Sequence, residues 1–70
     1  MYVRGFPEWT RSDELLAHCD PRGDLTKDVI MKEWFAFIVY KRPEDAARAC
    51  RELNRSMFNG RRLTIEPSSK

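Results

Sequence analysis

The chain has 70 residues, of which 41% are hydrophobic and 34% charged, and a formal net charge of +2. That length has room for one domain with a small core, and no apolar run approaches the roughly 20 residues of a membrane helix. Two cysteines, Cys19 and Cys50, and one histidine, His18, with no Cys-x-x-Cys pair, exclude a disulfide scaffold and a zinc site.

The strand signal starts at once, with Tyr2-Val3-Arg4-Gly5-Phe6 ahead of Pro7, as in a domain trimmed from a longer protein. The opening residues lack the basic leader and apolar stretch of a signal peptide. Alternation puts Val3 inward and Tyr2 and Arg4 on the opposite face. Glu8-Trp9-Thr10 reads as a loop, with Trp9 covering the core. Thr10 or Ser12 can cap a helix, and Asp13 three residues after Thr10 resembles a capping box. Leu15, Leu16 and Cys19 give that helix an apolar stripe, with His18 on its surface, and Asp20-Pro21-Arg22-Gly23 ends it.

Leu25 to Met31 reads as a second strand with imperfect alternation, which predicts a bulge or an edge position. Lys32-Glu33 then makes a very tight connection to Trp34-Phe35-Ala36-Phe37-Ile38-Val39-Tyr40, the longest run of strand formers in the chain. One face of this strand carries Phe35, Phe37 and Val39; the other carries Trp34, Ala36, Ile38 and Tyr40. Because both sets are largely apolar, the strand is predicted to be central. Pro43, Glu44 and Asp45 open a second helix, with Ala46, Ala49, Cys50 and Leu53 as its packing stripe. Asn54 to Phe58 reads as irregular and Asn59-Gly60 as a tight turn. A last strand over Arg62-Leu63-Thr64-Ile65-Glu66 turns Leu63 and Ile65 inward. Residues 1–66 form a single domain on this reading, and 67–70 are a polar tail. Both cysteines read as reduced, buried small hydrophobes, which fits an intracellular protein.

The order strand, helix, strand, strand, helix, strand predicts an α+β, ferredoxin-like βαββαβ fold, a four-stranded antiparallel sheet with two helices on one face. No helix is left for the other face, which carries Tyr2, Phe35 and Phe37 with Arg4, Arg62 and Thr64 nearby. An open aromatic face is costly unless it meets a partner. Bare rings stack on unpaired bases, and arginines hold phosphates.

Over essentially its whole length the chain resembles the RNA-recognition motif domain. The longer signature of that family, basic-Gly-aromatic-small-aromatic-aliphatic-x-aromatic, is matched from Phe35 to Tyr40, and the shorter one by Met1-Tyr2-Val3-Arg4-Gly5-Phe6 in outline. Asp45-Ala46-x-x-Ala49-Cys50-x-x-Leu53-Asn54 looks like the family's second helix, and Asn59-Gly60-Arg61-Arg62-Leu63 like the approach to its last strand. The resemblance implies single-stranded RNA as partner, with Tyr2, Phe35 and Phe37 stacking on bases and Arg4, Lys32, Arg62 and Thr64 beside them. It implies no cofactor, and a monomeric domain of a larger splicing or mRNA-metabolism protein, in nucleus or cytoplasm. Two positions depart from the signature: Glu33 stands at the basic position, leaving a phosphate contact missing or taken over by Lys32, and Trp34 stands at the glycine. The short Lys32-Glu33 turn is similar to compact motifs of splicing-related proteins and predicts a short RNA footprint.

The rival reading is a protein-binding version of the same fold, similar to U2AF-homology motifs, with a partner on the helical face or near Trp34. Those domains use an Arg-x-Phe element where this chain has Ser56-Met57-Phe58, and their sheet aromatics are usually degraded. Arg22, Arg48 and Arg51 read as solvated residues of the helical side. Acylphosphatases share the topology, but their Gly-rich phosphate loop has no counterpart here. No nucleophile-base pair or carboxylate dyad is evident, so no catalytic activity is expected.

Overall fold

The structure is a computed structural model that describes residues 1–67. Its elements in chain order are β1 (Tyr2–Arg4), α1 (Ser12–Cys19), β2 (Thr26–Met31), β3 (Phe35–Tyr40), α2 (Pro43–Leu53), β4 (Met57–Phe58), β5 (Arg61–Arg62) and β6 (Thr64–Glu66). Strands β2-β3-β1-β6 form one antiparallel sheet in that order, the expected ferredoxin-like arrangement. β3 is central, and its burial alternates residue by residue, with Ala36, Ile38 and Tyr40 buried and Phe35, Phe37 and Val39 half-buried. Val3, Ala36, Ile38 and Ile65 project from the sheet into the core, where they join Leu15 and Cys19 of α1 and Ala49 of α2. Removing a side chain such as Ile38 or Leu15 from water contributes about 1.5–3 kcal/mol. The core is therefore one-sided, and both helices lie on the same side of the sheet.

The two ends of α1 are held differently. Neither Thr10 nor Ser12 caps α1: Arg11 occupies the N-cap with no side-chain bond, and the buried Thr10 hydroxyl has no partner among the described residues. At the other end the Tyr40 hydroxyl donates to the Cys19 carbonyl at 3.0 Å, satisfying one of the orphan acceptors of a helix C-terminus. Asp20, 2% exposed, then gathers the turn that follows. Its carboxylate accepts from the Gly23 N–H at 3.1 Å, the Leu25 N–H at 3.1 Å, the Thr26 N–H at 3.0 Å and the Thr26 hydroxyl at 2.8 Å. The bulge falls between Thr26 and Asp28, on edge strand β2, and Leu25 lies just before that strand. On the opposite edge, the Ile65 N–H donates to Asn54 Oδ1 at 2.9 Å and the Cys50 thiol meets the Ile65 carbonyl at 3.7 Å. α2 thus covers polar backbone that an edge strand would otherwise expose. Cys50 is half-buried, where full burial was expected, and Cys19 is buried.

Four further sequence expectations are corrected. Residues 57–62 are a small hairpin, Met57 opposite Arg62 and Phe58 opposite Arg61. Asn59 (φ 50°) and Gly60 (φ 83°) form its two-residue loop, the positive-φ pair that a tight hairpin needs. Arg62 consequently belongs to this ribbon and not to the last sheet strand. His18 is no free surface residue: its Nε2 lies 2.9 Å from Ser56 Oγ, and its ring meets Phe58 edge-on at 5.2 Å, tying the hairpin to α1. Trp9 does not cover the core; it is 71% exposed. Trp34 lies in the β2–β3 turn, outside the strand, and is 78% exposed. Of the polar tail expected over 67–70, all but Pro67 lies outside the described residues.

Candidate nucleic-acid interface

Sheet register places side chains in rows across the face that carries no helix. Ile30, Phe37, Tyr2 and Glu66 are successive cross-strand partners. One step further along, Phe35, Arg4 and Thr64 form a second row, flanked by Lys32, whose N–H donates to the Phe35 carbonyl at 2.8 Å. Tyr2, Phe35 and Phe37 form one cluster: the Tyr2 ring lies 4.8 Å from that of Phe37 and 6.0 Å from that of Phe35, tilted by 50° and 57°. Tyr2 is 38% exposed, and both phenylalanines are half-buried. These rings rest against one another along their edges and leave area free for a planar partner. Their alternation with Val3, Ala36 and Ile38 is what turns them outward, because the core claims the other parity.

The structure brings Tyr2, Arg4, Phe35, Phe37 and Thr64 onto one face and sets Lys32 at its end. Arg62 stays apart from it, in the hairpin. Its carbonyl lies against the end of β1, where a Cβ on Gly5 (φ 97°) would approach it to 2.7 Å. The face is also less basic than its arginines suggest. Arg4 Nη2 is 2.7 Å from Glu66 Oε1, with both side chains about half exposed, and Asp28 stands opposite Val39 on the same side. Alternation from Leu63 and Ile65 would have assigned Glu66 to this face, and alternation from Val29 and Met31 would have assigned Asp28 and Ile30 to it.

Beside Trp34 lies an open hollow of about 360 Å³, lined by Tyr2 and Glu66 of the first row, Arg4 and Phe35 of the second, and Trp34 itself. On its other side Trp34 also borders a hollow of about 300 Å³, shared with Lys32, Glu33 and Phe35. The exposed indole is a wall at the turn end of the sheet, next to the ring cluster.

Among the described residues no group of three or more His, Cys, Asp or Glu side chains is placed to hold a metal ion, and no helix is long and apolar enough to cross a membrane. Burial pushes the Cys19 thiol up to about 12, helped by the adjacent Asp20 charge. Burial likewise raises Tyr40, with the charges of Asp20 and Asp45 adding to it, so these two groups stay protonated and serve packing.

Known proteins share this layout. The chain is 30% identical, over its whole length, to polyadenylate-binding protein 4 of Arabidopsis thaliana, of which it spans 12%. The third RNA-recognition-motif domain of Mip6 superposes with a TM-score of 0.87 at 26% identity, covering 96% of this chain and 89% of that one. The corresponding domain of S. pombe Puf1 gives 0.84 at 25% identity, covering 99% and 95%. The family model described as RNA recognition motif matches residues 1–64, and the chain therefore belongs to the RNA recognition motif family.

Proposed function

We propose that the chain binds single-stranded RNA on its helix-free sheet face, by stacking bases on Tyr2, Phe35 and Phe37. The observation that carries this reading is the ring cluster itself: Tyr2 against both Phe35 and Phe37, on the face of the sheet opposite the two helices. Such a surface is expensive to leave in water and matches the π-face that every base presents. Lys32 stands at the end of the face for a phosphate contact, Thr64 offers a hydroxyl, and Arg4 acts together with Glu66. Arg62 contributes from the neighbouring hairpin to a strand passing that edge. The polyadenylate-binding relative supports RNA as the partner, within an intracellular protein of mRNA processing or metabolism. The module acts as a monomer and carries out no catalysis.

The test is titration of short random-sequence RNA followed by NMR and fluorescence anisotropy. Resonances of Tyr2, Phe35 and Phe37 should move while those of α1 and α2 stay. Phe35→Ala and Phe37→Ala should each weaken binding by about 1–3 kcal/mol, the value of one base stack. A folded double variant that keeps wild-type affinity would overturn the reading and point to a protein ligand.

A further inference from the structure

The ion pair on the face has a consequence for base choice. A carboxylate beside an RNA backbone repels phosphate, so Glu66 weakens any site that holds RNA by charge alone. It strengthens a site that reads base edges, because a carboxylate accepts two hydrogen bonds and an adjacent guanidinium donates several. Arg4 and Glu66 touch through one nitrogen and one oxygen, at 2.7 Å. The second carboxylate oxygen and the remaining guanidinium N–H groups have no other hydrogen-bond partner among the described residues, and the engaged oxygen keeps a second lone pair. Together they border the 360 Å³ hollow whose other sides are Tyr2, Trp34 and Phe35.

We infer that this hollow is a guanine-selective subsite, in which the base lies between the Trp34 and Phe35 walls and the Arg4–Glu66 pair reads its Watson–Crick edge. This rests on the RNA-binding reading above and adds the base it selects. Two steps lead to guanine. Aromatic walls favour the larger ring system, hence a purine. Of the purines, adenine presents one amino donor and one ring acceptor to the pair. Guanine presents the N1–H and 2-amino donors side by side, matched to the two Glu66 oxygens, and O6 next to them, matched to Arg4. A polar site built for such a set rejects bases that leave its groups unpaired.

The test uses the 70-residue chain and pentauridine, alone or with its central base replaced by guanine, adenine, cytosine or inosine, with dissociation constants from fluorescence anisotropy. Guanine should bind tighter than adenine or cytosine by about 5- to 150-fold, the range of one well-made bidentate base contact. Inosine, which lacks only the 2-amino group, should fall between guanine and adenine. Glu66→Gln keeps the shape but removes one acceptor, and should bring guanine down to the level of adenine; each affinity is read relative to pentauridine on the same variant, so that the general gain from losing a phosphate-repelling charge cancels. Arg4→Met should likewise erase the preference. A wild-type preference for adenine or cytosine, no preference at all, or a guanine preference that survives Glu66→Gln would each overturn the inference. If pentauridine still binds and Phe37→Ala still weakens it, the stacking reading stands without the guanine subsite. If no oligonucleotide binds, both fall.

Discussion

Asp20 should be the most consequential single side chain outside the apolar core. Its buried carboxylate holds three backbone N–H groups and one hydroxyl in the turn that leads from α1 into β2. Asp20→Ala leaves the Leu25 and Thr26 donors without a partner, while the Gly23 N–H keeps its second acceptor, the main-chain carbonyl of residue 20 at 3.0 Å. Gly23 is exposed and Leu25 and Thr26 are half-buried, so water reaches the first but only partly replaces the carboxylate at the others. At about 1–3 kcal/mol for each buried donor left unmet, the expected loss is about 2–4 kcal/mol. A 70-residue domain has about 4–10 kcal/mol in total. Asp20→Asn is the milder probe. An amide oxygen at the Oδ2 position keeps the Leu25 and Thr26 bonds, but its NH2 then faces the Gly23 N–H, a loss of about 1–2 kcal/mol. The two variants also separate charge from shape through pH. Burial pushes the Asp20 carboxyl up, but hydrogen bonds from the Thr26 hydroxyl and from the Leu25, Thr26 and Gly23 amides outweigh it and hold it below its ordinary value. A carboxyl depressed in the folded state stabilises fully above its unfolded value near 3.9, and that contribution fades as pH falls through the folded value. Urea unfolding followed by circular dichroism should therefore show wild type well above Asp20→Asn at pH 7, with the gap narrowing below about pH 4. A gap independent of pH, or an Asp20→Ala variant as stable as wild type, would refute this account of the turn.

Three other outcomes follow from the structure. With Arg4 engaged by Glu66, Lys32 and Arg62 are the cations left among the residues predicted for the site, so log affinity against log salt should have a slope of about −0.7 to −1.4. A slope steeper than about −3 would bring Arg22, Arg48 or Arg51 of the helical side into the site. Gly5→Ala should lower stability by about 1–3 kcal/mol in thermal unfolding, because position 5 has a positive φ and the new Cβ would meet the Arg62 carbonyl; an unchanged melting temperature would contradict that approach of β5 to β1. In the native protein a thiol reagent should label half-buried Cys50 well before buried Cys19, with both labelling alike in denaturant, and equal native rates would mean that α1 opens readily.

Periodicity made the sheet readable because each strand shows one parity to the core. Ala36 and Ile38 could only be inward if Phe35 and Phe37 were outward, and Val3 settled Tyr2 in the same way. The helices were readable from Pro43, from the acidic first turns and from the small-residue stripe of α2. What escaped depends on contacts between residues far apart in the chain. The Tyr40 hydroxyl on the Cys19 carbonyl, Asn54 on the Ile65 N–H and His18 on Ser56 join elements whose separation no local pattern encodes. The same holds for Arg4. Its place on the face follows from alternation, but its pairing with Glu66 required the register of β1 against β6. Trp9 was misplaced for a simpler reason. Large apolar residues are usually buried, but a loop residue has no periodicity to say which way it faces.

Trp34 shows how the fold leaves this face open to change. The matching family position is usually glycine, and a glycine in a tight turn can be demanded by a positive φ. Here it is not: among the described residues the positive-φ positions are Gly5, Gly23, Arg55, Asn59 and Gly60, none of them between Lys32 and Trp34. The β2–β3 turn is thus built from conformations that any residue adopts, closed by the Lys32 N–H on the Phe35 carbonyl. A large ring is accepted there without backbone strain, and because the core lies on the other side of the sheet it displaces nothing from it. Stability draws on Ala36, Ile38 and Tyr40, and the recognition proposed above on the alternate residues of the same strand, Phe35 and Phe37. Side chains at the end of the recognition face, Trp34 and Glu33 among them, can therefore vary with little effect on folding, and selectivity for a partner is free to be set there.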